Sequence, residues 1–188
     1  MQLPVLVQSA AVRQAVSDTL CGCPSVCLQG TDVFESRLLD VFLTLLQDQV
    51  NAVRMAATQS LRSLAKYLGT AWIRARLLPR LNARLVDRAA STYLQRITVL
   101  YAVRDVVTAP ACADISDAFL PLLLTSFEDD VPNVQFVAVQ AAAAALDAGT
   151  LTRAQIAEVH AALLKMGNTS KLDVDVRYFT EIALSKCA

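Results

Sequence analysis

The sequence predicts an all-α fold, a right-handed superhelix of stacked helical hairpins with about four full repeats after a partial first one. Three observations predict it. The stretch Asp48-Gln49-Val50-Asn51-Ala52-Val53-Arg54-Met55-Ala56-Ala57 returns in outline as Asp129-Asp130-Val131-Pro132-Asn133-Val134-Gln135-Phe136 and again as Asp173-Val174-Asp175-Val176-Arg177-Tyr178. The apolar-then-polar pairs Val12-Arg13, Val53-Arg54, Leu94-Gln95, Val134-Gln135 and Val176-Arg177 stand 41, 41, 40 and 42 residues apart, an evenness that one globular core seldom imposes. Between these pairs apolar residues recur at helical spacing, separated by short turns, with no strand alternation.

A period of roughly 40 to 47 residues is that of helix-pair repeats of the HEAT or armadillo kind. One solenoid over residues 1–188 follows, with a partial repeat at 1–27 and repeats at 32–68, 70–109, 114–148 and 152–187. Gln2 to Gln8 resembles the tail of a helix, and a second helix runs from Ala11 to Cys21, ended by Gly22 and Pro24. Thr31 or Asp32 can cap the next helix, which buries Phe34, Leu38, Leu39, Phe42, Leu45 and Leu46. Asp48 closes the turn to its partner helix, with Val53, Ala56, Ala57, Leu61, Leu64 and Leu68 on one side and Arg62 and Lys66 on the other. Gly69 ends that helix.

The third unit opens at Thr70 and buries Trp72, Ile73, Leu77, Leu78, Leu81 and Leu85, with Pro79 expected to kink it. A turn over 88–91 leads to a helix starting at Tyr93 and stopped by Pro110. In the fourth unit Asp114 or Ser116 is expected to cap a helix that contains Pro121 and buries Phe119, Leu120, Leu123, Leu124 and Phe127. An Ala-rich helix follows to Ala148, where Ala141 to Ala145 allow close approach of neighbours. The last unit is capped by Thr152, buries Ile156, Val159, Leu163 and Leu164 as far as Gly167, then restarts at Asp173 with Val176, Phe179, Ile182, Ala183 and Leu184. The acids ahead of each second helix face its positive dipole end. Arg13, Arg54, Gln95, Gln135 and Arg177 are expected to form a ladder that bridges to the acids of adjacent turns.

Composition narrows the function classes. The 188 residues are 55% hydrophobic and 18% charged, with only 5 Gly and 6 Pro, which suits a packed helical chain and not a disordered one. Seventeen basic and seventeen acidic side chains cancel, so no overall field points to nucleic acid or an anionic membrane. The one basic cluster, Arg74, Arg76, Arg80, Arg84 and Arg88, scatters around a helix and reads as a solvated face. The run from Phe136 to Leu146 is too short to span a bilayer. Met1 to Val7 lacks a basic n-region and a cleavage site, so reduced thiols and a cytoplasmic location, with the nucleus also open, are expected.

Catalysis finds little support. There is no Gly-rich phosphate loop and no spaced His/Glu set, and the single histidine, His160, lies between Val159 and Ala161 on a predicted helix. Cys21, Cys23 and Cys27 have thiolate spacing that raises a zinc or copper reading, but no fourth ligand is near, and cysteines packing as small apolar residues at a helix end is the favoured one. Cys112 and Cys187 stand apart. No metal, cofactor or catalytic residue is expected.

Four segments carry a resemblance: Ala52 to Ala57, Tyr93 to Leu100, Val131 to Phe136 and Asp173 to Phe179, together with the corner Gly69-Thr70-Ala71-Trp72. In order and spacing they resemble the last four HEAT repeats of the scaffold (A) subunit of protein phosphatase 2A, over nearly the whole chain from Ala11. The resemblance implies a non-catalytic horseshoe whose turns inside each hairpin hold a Ser/Thr phosphatase catalytic subunit. Carried onto this sequence, the ridge is Asp48, Asn51, Arg54, Tyr93, Gln95, Arg96, Pro132, Asn133, Gln135, Asp173, Asp175 and Arg177. It departs from the family at Ser9-Ala10-Ala11, where an aromatic-basic pair is expected, and at Asn51, in place of a tyrosine. The repeats that recruit a regulatory subunit have no counterpart, so that partner is not expected through this segment. An apolar face at the incomplete first repeat predicts self-association there. The alternative is a HEAT adaptor with another protein client, in transport or tubulin handling.

Overall fold

The computed structural model describes residues 9, 11, 13, 34–86, 91–109, 112 and 114–187. Most of the partial first repeat, the proposed caps Thr31 and Asp32, Cys21, Cys23 and Cys27, Arg88 and the side chains of Arg84 and Leu85 lie outside these. Among the described residues the regular structure is helical, without a strand.

A π-helical turn, Phe34–Leu38, leads into α1 (Leu39–Leu45), whose Leu39, Phe42 and Leu45 are buried. After a short turn α2 (Asn51–Trp72) buries Val53, Ala57, Leu61 and Leu64 and leaves Arg62 and Lys66 in solvent. Gly69 breaks this run at φ 78° and ψ 162°, a conformation that costs glycine little because it has no Cβ. One hairpin ends there and the next begins. Trp72 meets Phe34 edge-on, with ring centroids 5.6 Å apart, and joins the two.

The disruption expected of Pro79 takes the form of a π-helical turn, Ile73–Leu77, just ahead of α3 (Leu78–Val86). The Leu78 N–H donates to the Ile73 carbonyl, five residues back. A wider turn accommodates the proline ring, which in a regular helix presses on the carbonyl four residues before it.

Then come α4 (Tyr93–Val107), α5 (Ser116–Phe127), α6 (Pro132–Asp147), α7 (Arg153–Gly167) and α8 (Val174–Ser185). Thr92 and Gln95 form a reciprocal capping box at the start of α4, and Thr152 and Gln155 do the same for α7. Neither Asp114 nor Ser116 caps α5, contrary to expectation. The Ser116 hydroxyl is drawn instead to the next hairpin, donating to Gln155 Oε1 at 3.0 Å, and the backbone carbonyl of Asp114 accepts from Arg74 at 2.8 Å.

Consecutive helices pair as hairpins, and the hairpins stack so that α2, α4, α6 and α8 form one layer and α3, α5 and α7 lie along another. Between the layers runs a continuous apolar core. Ala138, Ala141, Ala142 and Ala145 are fully buried, which lets α6 sit close to both α4 and α8, and Phe136 meets Phe179 edge-on at 4.8 Å. Leu164, expected inside, is 43% exposed, because no described hairpin covers that side of α7.

Three members of the basic cluster, exposed as a solvated face implies, also form ion pairs between hairpins. Arg74 pairs with Asp117 at 2.6 Å, Arg76 with Glu35 at 3.1 Å and Arg80 with Asp40 at 3.8 Å, each across a hairpin boundary. Among the described residues no helix is long and apolar enough to cross a membrane.

Candidate protein-binding ridge

The turns inside the hairpins, at 46–50, 91–92, 128–131 and 168–173, lie along one edge of the stack. Their backbones are held by a device that recurs at the fourth residue of each following helix. Arg54 donates to the carbonyls of Asp48 (2.7 Å) and Gln49 (3.1 Å), and Arg96 to that of Ser91 (2.9 Å). Gln135 donates to the Asp129 carbonyl at 2.8 Å, and Arg177 to those of Gly167 (2.9 Å) and Thr169 (3.0 Å). Turn carbonyls, and that of Gly167 at the end of α7, thereby gain donors.

This corrects the ladder in two ways. The third rung is Arg96 and not Gln95, because the capping box starts α4 at Tyr93 and places Arg96 where Arg54 and Arg177 stand in their helices. Most rungs also hold their own turn and do not reach an acid of the next. Gln95 is engaged at the helix start, its Oε1 accepting from the Thr92 N–H at 2.9 Å. Bridging to the next turn occurs at Arg13 with Asp48 and at Arg96 with Asp129.

The acids themselves shape the turns. Asp48 accepts from the Val50 N–H (2.8 Å), Asp129 from Val131 (3.0 Å) and Asp173 from Asp175 (2.9 Å). Partial burial pushes the Asp48 carboxyl up, but the hydrogen bond from Arg13, the Val50 N–H and nearby positive charge outweigh it and hold the group below its ordinary value.

A sequence profile of the HEAT repeat matches residues 38–68, the hairpin formed by α1 and the first part of α2. The chain carries a HEAT repeat. No curated protein matches it. The remaining hairpins repeat the same turn-stapling device and stack on this one, so the whole described fold is a HEAT-like all-α solenoid.

Along the HEAT ridge the sequence-derived residues separate by exposure. Asn51, Tyr93, Pro132, Asn133, Asp173 and Asp175 face solvent. Arg54 and Arg96 are buried, and Asp48, Gln95, Gln135 and Arg177 are half-buried in turn-holding bonds. Among the described residues no group of three His, Cys, Asp or Glu is placed to hold a metal ion. The link from Lys165 to Glu128 at 2.6 Å, a third bridge along the ridge, was not legible in the sequence: two exposed charges 37 residues apart carry no motif.

Proposed function

We propose that this chain is a non-catalytic scaffold, and that its ridge holds the catalytic subunit of a Ser/Thr phosphatase, as the resemblance to the protein phosphatase 2A scaffold subunit implies. The observation that carries the reading is a division of labour along one edge. Arg54, Arg96, Gln135 and Arg177 satisfy the turn backbones from within, so Tyr93 (44% exposed), Pro132, Asn133 and Asp175 are held outward on a firm base. A row of exposed side chains at regular intervals on a rigid support suits a partner that grips several repeats at once. A HEAT repeat suggests a helical-repeat scaffold for protein interaction.

Retention of a purified phosphatase catalytic subunit by the immobilised full chain tests this. The chain is expected to retain it, and Tyr93→Ala to weaken retention about tenfold, since an aromatic anchor carries a large share of interface energy. Lys66→Ala, on the exposed side of α2, is expected to leave it unchanged. A folded chain that retains no catalytic subunit ends the phosphatase reading and leaves a HEAT adaptor with another client.

A further inference from the structure

Where one hairpin meets the next along the ridge, an arginine can reach the acid of the following turn, and at one joint the arginine has no acid to meet. Arg13 grips the Asp48 carboxylate side-on through Nε and Nη2, and Arg96 grips Asp129 in the same way at 2.8 Å and 3.1 Å. Asp48 and Asp129 each stand six residues ahead of the staple of their own turn, Arg54 and Gln135. At that register the remaining turns carry Ala90, six ahead of Arg96, and Lys171, six ahead of Arg177. Lys171 is preceded one turn earlier by the neutral staple Gln135, so nothing there calls for an acid. Ala90 is preceded by Arg54, a full positive charge.

The bonds of Arg54 show what that leaves. The side chain is only 6% exposed. Its Nη1 is spent on the carbonyls of Asp48 (2.7 Å) and Gln49 (3.1 Å), and its Nη2 donates to the Asn51 amide oxygen at 3.1 Å. Its Nε, the atom that Arg13 and Arg96 direct at a carboxylate, is buried without a partner. Asp48 feels the charge of Arg54 but is bonded to Arg13 and to the Val50 N–H, so two arginines share one carboxylate. No acid bonds to Arg54 among the described residues, and Ala90, with Asp87 and Arg88 of the same loop, lies outside them. A buried, charged donor without an acceptor keeps the cost of its lost hydration, and a carboxylate is the acceptor that best returns it.

We propose that Arg54 takes the carboxylate of an Asp or Glu side chain of a protein partner, bound side-on at Nε and Nη2 as Asp48 and Asp129 are bound at the other joints. Asn51 is the gate. Its exposed side chain is a neutral stand-in at Nη2 alone, and an incoming carboxylate, whose charge-assisted bonds are roughly twice as strong, displaces it into solvent and enters through its place. The proposal rests on the ridge being a protein-binding edge, and it names the residue type that a partner brings to the turn at 46–50.

In the isotope-labelled full chain each arginine Nε–H gives its own nuclear magnetic resonance signal. That of Arg54 is assigned by its loss in Arg54→Lys and, independently, by its shift in Asn51→Ala. The chain is titrated at constant ionic strength with two acetylated, amidated pentapeptides, Gly-Gly-Glu-Gly-Gly and Gly-Gly-Gln-Gly-Gly. The glutamate peptide is expected to move the Arg54 signal and to leave that of Arg96, already bonded to Asp129, in place. The glutamine peptide is expected to bind about tenfold more weakly, the margin of a charge-assisted bond over a neutral one. Asn51→Ala, which removes the gate, is expected to tighten the glutamate peptide several-fold. Ala90→Asp, which supplies the acid from within, is expected to move the Arg54 signal in the free chain and to abolish the response to the peptide.

Equal responses to the two peptides, or no Arg54 response in both the parent and Asn51→Ala, overturn the proposal. An Arg54 signal that Asp87→Asn moves in the free chain also overturns it, because the place is then filled from within. If Arg54 does not respond while the parent retains the phosphatase subunit, the carboxylate site falls and the ridge reading stands. An Arg54 response in a chain that retains no phosphatase subunit sinks that partner and supports the site.

Discussion

Of the bridges that tie neighbouring hairpins together along the ridge, two are opposites. Arg96 and Asp129 meet at 2.8 Å and 3.1 Å through two parallel bonds, with side chains only 8% and 3% exposed. Lys165 and Glu128 meet at 2.6 Å with side chains 77% and 64% exposed. The shorter contact is the weaker bond. Water screens the exposed pair and leaves both partners comfortable when apart, whereas the buried pair has given up its hydration and depends on mutual satisfaction. Arginine suits the buried place because its fork matches a carboxylate, and Arg96 also reaches the Ser91 carbonyl. The centre of the ridge is thus locked, and its C-terminal end is held by an exchangeable link.

Breaking the buried bridge from one side has the largest expected effect. Asp129→Ala leaves a buried guanidinium without its counter-charge and is expected to cost about 3–5 kcal/mol in denaturant unfolding. Replacing both partners, Arg96→Met with Asp129→Leu, sharpens the comparison: it is expected to recover most of that loss, since the penalty comes from the orphaned charge.

A cap beside the buried bridge, but not part of it, comes next. Thr92→Ala removes the capping box of α4 and is expected to cost about 1 kcal/mol by thermal or denaturant unfolding. The half-buried Arg13–Asp48 bridge lies between the extremes and is read through pH. The folded carboxyl of Asp48 lies below its unfolded value of about 3.9, so its contribution is present above that pH and is lost as pH falls through the folded value. Asp48→Asn is expected to flatten the acid limb of the stability profile below about pH 4 relative to the parent. The smallest effect is expected from Lys165→Ala, within about 1 kcal/mol and vanishing in high salt. A larger loss there would make the two bridges alike.

Much of this architecture was legible in residue order. Phe34, Leu39, Phe42 and Leu45 follow a helical stripe and are buried, Gly69 marks the corner it was expected to mark, and the alanines of α6 lie where helices come closest. The register of the third rung was less plain. Leu94-Gln95 imitates the apolar-polar pair, yet Leu94 is 43% exposed and the working residue is Arg96. The signal that separates them, Thr92 followed three places on by Gln95, is a local one that resets where the helix begins. For Ser116 the local signal misled, because Gln155 takes up its hydroxyl from a hairpin far away in sequence.

The sequence by itself determined the helices, their hairpin order and the recurring turns, because helical periodicity and glycine corners act over a few residues. Tertiary structure alone decided which arginine reaches which acid and which of two similar ion pairs loses its water. Those outcomes depend on distances between residues some forty positions apart, and hydration and packing act on that distance and not on spacing along the chain.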